Sequence, residues 1–322
     1  GLSAGLASLL SMFAARDEYH LINKELAALM RDLPDSPLGE ILSYVLSAPG
    51  KRVRPLILIL SAEALGTPPA QSISAALAIE LVHAASLVHD DILDHGIERR
   101  GSPSALERFG PEASLLAGDW LISRSIDLIS GYSQPVTRAF SRACMDMSEG
   151  ELMDLSCAGS PEDYYQCITR KTASLFSASA KIGGLISGAG EEDVARLESY
   201  GLHLGLGYQV LDDLEEFLGL DQGKSSQKTS VTLPKIYASR SSRSASHDTD
   251  SDAGFDADSD IGSDTANVVQ MCIKVTDDHC NQAKGALQAL NGDKEKKLQL
   301  LEIVDEMTCR GLQRCRSQKS LC

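Results

Sequence analysis

Positive charge is in short supply in this chain. Thirty Lys and Arg stand against 45 Asp and Glu, a formal net charge of −15. Such a balance argues against a general nucleic-acid-binding role. Paired cysteines are lacking too. The eight cysteines (Cys144, Cys157, Cys167, Cys272, Cys280, Cys309, Cys315 and Cys322) form no CxxC pair and match no zinc spacing. Scattered single thiols fit a reducing, cytoplasmic setting better than a disulfide framework. Strongly apolar runs are short. Stretches such as Leu56 to Leu60 fall far below the span of a bilayer, so membrane contact is expected to be peripheral at most. Gly1 to Ala15 is mildly apolar but has no basic leader, and no signal peptide is read there.

What is present is enough for a sizeable core. Of 322 residues, 43% are hydrophobic, and the chain reads as a single domain. Its apolar residues recur at helix spacing. Ile22, Leu26, Leu29 and Met30 form one stripe, and Ile41, Leu42, Val45 and Leu46 another after Pro34 and Pro37. Pro49-Gly50 stops that helix. Residues 55–95 show no β-type alternation and read as two helices split by Gly66-Thr67-Pro68-Pro69. Residues 104–130, 136–157 and 163–186 continue the pattern, so the fold is expected to be all-α.

Two acidic stretches end such helices. In Leu87-Val88-His89-Asp90-Asp91-Ile92-Leu93-Asp94, Asp90 and Asp94 lie one turn apart on one face, with His83 two turns earlier. Acids so placed repel each other unless a cation sits between them. Mg²⁺ suits carboxylate and phosphate oxygens. A solvated acidic helix end is the plain alternative. The second stretch sets Gln209, Asp212, Asp213 and Glu216 at i, i+3, i+4 and i+7. Facing helices of this kind would wall a cavity with carboxylates, as metal sites in helix bundles do.

These motifs resemble the two aspartate-rich motifs of the all-trans polyprenyl diphosphate synthases, the isoprenyl/geranyltranstransferase type. Gly50-Lys51-Arg52-Val53-Arg54-Pro55, Lys171-Thr172 and Thr232-Leu233-Pro234 match further signatures in the same order. The resemblance implies an isoprenoid-synthase-type helical bundle around a central cavity, Mg²⁺ as cofactor and a homodimer. It implies a prenyltransferase that joins isopentenyl diphosphate to an allylic prenyl diphosphate. Asp90, Asp94 and Asp212 would hold Mg²⁺, with Asp91, Asp213 and Glu216 as nearer or outer ligands. Lys51, Arg54, His83 and Arg100 would place isopentenyl diphosphate. Arg99, Lys171 and Lys224 would grip the allylic diphosphate, and Thr172 and Gln209 would aim oxygen dipoles at the cation. In that family, residues just before the first motif set product length. Here they are Ala85 and Ser86, both small, which points to an open floor and four or more isoprene units. Ile79, Leu81 and Val82 lie deeper.

The chain departs from the family pattern in places. Glu216 stands where Asp is usual, Pro49 precedes Gly50, and Ser230 replaces a lysine for which Lys228 is a candidate substitute. A class I terpene cyclase ionises similar substrates, but it needs no second diphosphate site of the kind Arg99-Arg100 and Lys51/Arg54 imply. A regulatory subunit is a third reading, although this chain keeps both acidic clusters. Glu149, Glu151 and Asp154 are read as outer or surface groups, and Asp119 as a buried, hydrogen-bonded acid. Residues 239–267 hold eight serines and seven aspartates and read as an unordered insertion. Its Asp248-to-Asp252 run mimics a calcium loop, but Gly254 and Ser259 break the pattern.

Overall fold

The computed structural model describes residues 4–156, 159–220, 224–225, 230–247 and 257–318. Helices α1 (Ala4–Phe13), α2 (Asp17–Arg31), α3 (Pro37–Leu46), α4 (Val53–Ala64) and α5 (Pro69–Asp94) come first. A hairpin of β1 (Glu98–Arg99) and β2 (Ser102–Pro103) follows, then α6 (Ala105–Phe109), α7 (Pro111–Ile129) and α8 (Gln134–Leu155). Next, α9 (Pro161–Ile168) runs through a π-turn (Thr169–Ala173) into α10 (Ser174–Ile186). The chain ends with α11 (Glu191–Phe217), β3 (Lys224–Ser225), α12 (Leu233–His247), α13 (Ala257–Ala286) and α14 (Lys294–Ser317). The fold is all-α, as expected. Among the described residues, extended structure is limited to one antiparallel sheet in the order β2-β1-β3.

Helix starts follow local chemistry. Pro37 opens α3, and the Ser36 hydroxyl accepts the Gly39 N–H. Ser160 and Asp163 cap α9 reciprocally. At the centre, Leu56 to Leu60 of α4 are all fully buried, as a helix apolar on every side requires. Gly183 lets α10 touch α4, since a Cβ there would sit 2.5 Å from the Leu58 carbonyl oxygen. Alanines 75, 76, 78 and 85 are buried along α5, which packs closely on α7. By length and composition α5 could cross a bilayer, which short runs such as Leu56–Leu60 do not suggest. Yet 61% of its most apolar window is buried inside the protein, so it serves as a core helix. A second core joins α9, α11, α12 and α13 through Tyr164, Val210, Leu214, Leu233, Ile236, Val269 and Ile273.

The expected unordered stretch at 239–267 is helical over 239–247 and 257–267, while 248–256, with the calcium-like run, lie outside the described residues. Composition speaks to core burial, but a helix nucleated elsewhere extends cheaply. Leu233 and Ile236 anchor the start of α12.

One buried cluster ties the two ends of the chain together. Lys296 on α14 donates to Glu18 on α2 at 2.6 Å and lies 3.4 Å from Glu63 on α4. Burial, then the hydrogen bond and charge of Glu18, push Glu63 up to about 7, with Lys296 opposing. A carboxyl raised on folding binds its proton more tightly in the native state. Its share of stability is therefore lost as pH climbs from about 4.5 to 7. Glu63→Gln is expected to remove this slope and to melt a few degrees above wild type at pH 7.5, but not at pH 5. Parallel melting curves of the two proteins across that range would count against it.

Candidate active site

The last turn of α5 and the end of α8 meet at a set of carboxylates. Ligand-capable oxygens of Asp90, Asp94 and Glu151 all lie within 4.8 Å of one another. Glu151 is thus a site residue that its sequence position disguised as an outer group. Oxygen donors alone suit a hard divalent cation. Lys171 reaches the same place from the π-turn. Its Nζ lies 2.7 Å from Asp154, 2.8 Å from Glu151 and 3.4 Å from Asp90. Burial works against its charge, but the three carboxylates outweigh burial and hold its pKa well above the usual value. Gly150 makes this approach possible, because a Cβ there would sit 2.3 Å from the Lys171 backbone nitrogen. In the π-turn itself, the Ser174 N–H bonds back to the Thr169 oxygen, and the Ser174 hydroxyl satisfies the Arg170 carbonyl at 2.6 Å.

Asp91 behaves differently from Asp90. It is buried and accepts both a 2.8 Å and a 3.0 Å hydrogen bond from the Arg99 guanidinium. Burial pushes its pKa up and Arg99 pulls against that. The second motif repeats this division. Asp213 is buried, with one oxygen accepting from the Tyr164 hydroxyl at 2.6 Å and the other from Gln209 Nε2 at 3.0 Å. Burial pushes Asp213 up to about 7. Those hydrogen bonds resist the rise, and the charges of Asp212 and Glu216 add to it. Asp212 is half-buried and Glu216 exposed. Among the described residues, the second motif gathers no carboxylate trio as close as Asp90–Asp94–Glu151. The two motifs nevertheless meet across consecutive residues of the π-turn. Lys171 touches Asp90, and the Thr172 hydroxyl donates to Gln209 Oε1 at 2.8 Å.

The basic residues converge from α4, α5 and the hairpin. Arg54 lies 4.3 Å from the Phe176 ring centroid and donates to His83 Nε2 at 3.2 Å. Arginine can only donate, so His83 carries its proton on Nδ1. Burial, then the charges of Arg54, Arg100 and Arg99, hold His83 well below its ordinary pKa. Lys51 lies 5.0 Å above the Tyr208 ring. Arg52 is spent on structure, donating to Glu80 at 2.7 Å and Asn23 at 3.1 Å. Arg52 and Arg100 both adopt left-handed backbone (φ 54°), and Arg100 donates to the Pro49 carbonyl. Gly50 leaves room for both, since a Cβ there would lie 3.1 Å from Arg100 Nη1 and 3.2 Å from Arg52 Nη1. In the sheet, the backbone of Arg99 pairs with that of Lys224. Lys228 lies outside the described residues. Ala85 is buried and Ser86 half-buried, with its hydroxyl donating to the His83 carbonyl at 2.7 Å. Asp119, expected to be buried, is 59% exposed, 3.7 Å from His89. It faces outward from α7.

The polyprenyl synthetase family model matches residues 35–262. The chain belongs to the polyprenyl synthetase family. This polyprenyl synthetase is 44% identical over 230 residues to geranylfarnesyl diphosphate synthase of Methanosarcina mazei, covering 70% of this chain and 78% of that one. It is 35% identical over 206 residues to octaprenyl diphosphate synthase of Escherichia coli, covering 61% and 64%. A solved geranyltranstransferase from Methanosarcina mazei superposes with a TM-score of 0.74 at 35% identity, covering 93% of this chain and 99% of that one. A Caulobacter crescentus polyprenyl synthase, solved with calcium and isoprenyl diphosphate, superposes with a TM-score of 0.78 at 26% identity, covering 93% and 96%. Like these relatives, this polyprenyl synthetase is a prenyltransferase.

Proposed function

We propose that the enzyme condenses isopentenyl diphosphate with an allylic prenyl diphosphate, and that Mg²⁺ bound at Asp90, Asp94, Glu151 and Asp212 assists it. Glu216, exposed one turn beyond Asp212, is an outer contributor. The observation that carries this reading is the meeting of both acidic motifs at Lys171-Thr172, beside the Arg54–His83 and Arg99–Arg100 groups. Magnesium held by these carboxylates would supply positive charge against the departing diphosphate. Arg99, Lys171 and Lys224 grip that diphosphate, while Lys51, Arg54, His83 and Arg100 hold isopentenyl diphosphate. His83 is neutral and acts by position rather than charge. Thr172 and Gln209 turn oxygen dipoles toward the allylic cation. Asp91 and Asp213 serve as anchors, because protein donors already occupy both oxygens of each carboxylate.

Exposed apolar residues on neighbouring helices, Leu115, Leu116 and Ile126 of α7 with Met145 and Leu152 of α8, support a homodimer. Free thiols at Cys144, Cys167, Cys272, Cys280, Cys309 and Cys315 support a cytoplasmic setting. The decisive assay supplies the purified protein with labelled isopentenyl diphosphate, several allylic primers and Mg²⁺, followed by chromatography of the products. Linear elongated products are expected. Cyclic hydrocarbon without isopentenyl incorporation, or turnover only with an added partner chain, would sink the proposal. Small Ala85 and Ser86 support a product of four or more isoprene units. Ser86→Phe is expected to shorten the product by at least one unit. An unchanged product ladder would remove this account of length.

A further inference from the structure

Tyr164 has no part in the roles above, yet it sits at the end of a closed line of hydrogen bonds. Its ring is 4% exposed, and its hydroxyl reaches Asp213 at 2.6 Å. Asp213 accepts from Gln209 Nε2 at 3.0 Å, and Gln209 Oε1 accepts from Thr172 at 2.8 Å. Three elements thus meet in one line: α9, α11 and the π-turn. We infer that Tyr164, acting through Asp213, fixes which end of the Gln209 amide faces the reacting carbon, and is a positioning residue for the transfer step.

The argument is one of donors and acceptors. Both Asp213 oxygens accept in this arrangement, one from the Tyr164 hydroxyl and the other from the NH₂ end of the Gln209 amide. The oxygen end is thereby left to Thr172 and the site. A flipped amide would set Oε1 against the Asp213 oxygen and present N–H dipoles to a forming cation. Oxygen dipoles stabilise that cation and N–H dipoles oppose it. The carboxylate can impose this choice only while its own position is fixed. With Asp213 7% exposed, Tyr164 supplies the one hydrogen bond to it from α9, on the side away from Gln209. Without that hydroxyl, Asp213 keeps one donor for two buried oxygens and turns to find another. The amide then loses its fixed partner.

This inference rests on the prenyltransferase reading, and its test separates the two. Tyr164→Phe keeps the ring and its packing. It is expected to lower kcat about tenfold, with KM for both diphosphates and the half-saturating Mg²⁺ concentration unchanged within about twofold. In a Gln209→Ala background the same substitution should cost nothing further, because the group it positions is gone. An equal loss in both backgrounds, or a shifted magnesium requirement, would overturn the inference. Should wild type condense nothing, the functional reading fails, and a second measurement still decides this one. In ¹⁵N-glutamine-labelled protein, one Gln209 side-chain amide proton should exchange slowly in wild type and fast in Tyr164→Phe. Fast exchange in wild type, or equal rates in the two, would refute the line of bonds. Slow exchange lost in the variant would support it.

Discussion

Asp90→Ala is expected to cut condensation by about a thousandfold or more in kcat/KM. The effect is large because Asp90 works on two sides at once. Its carboxylate belongs to the Asp90–Asp94–Glu151 trio, and it also lies 3.4 Å from the Lys171 ammonium. Its removal weakens the hold on magnesium and alters the grip on the diphosphate. Asp90→Asn should lose nearly as much, since the charge of the carboxylate matters more than its volume. A large excess of Mg²⁺ should recover part of the loss in both variants, whereas Asp119→Asn, on an exposed residue of α7, should behave as wild type. Single-turnover rates measured over a magnesium titration make the comparison. A loss below tenfold would show that the trio does not carry the metal.

Lys171→Ala is expected to affect stability and catalysis with different dependence on magnesium. Without the lysine, Asp90, Glu151 and Asp154 lose the cation they share. Breaking such a partly buried group costs about 3 kcal/mol, here in chelator-treated protein. Added Mg²⁺ should restore most of it, because the carboxylates regain a counter-charge. The melting temperature of the variant should therefore rise with Mg²⁺ by more than that of wild type. Activity should not follow: kcat is expected to stay about a hundredfold down, for want of the ammonium against the diphosphate. Paired melting curves in chelator and in Mg²⁺, with rates alongside, supply the check. A variant no more responsive to Mg²⁺ than wild type would show that the lysine and the metal do not share one site.

Both acidic motifs were legible in the sequence because their spacing follows the helix period, and so was the all-α architecture. Glu151 was not legible. Its partners Asp90 and Asp94 lie on another helix, and periodicity along one helix says nothing of what crosses from the next. The resemblance makes Asp91 and Asp213 nearer or outer ligands, although adjacent helix residues point about 100° apart. That geometry alone argues that the second acid of each pair faces protein rather than metal. Arg99 and Tyr164 are what it faces. The π-turn left no trace in composition or pattern, since neither encodes a single surplus residue.

That surplus residue has a consequence for how the chain can vary. It lies between α9, whose Tyr164 must reach Asp213, and α10, whose Gly183 must press on Leu58. Deleting one position from Thr169–Ala173 would turn one helix against the other by about 100°. A shortened chain could keep the tyrosine anchor or the glycine seam, not both. Any change of length in this segment therefore disturbs the two contacts as a pair, whichever residues fill it.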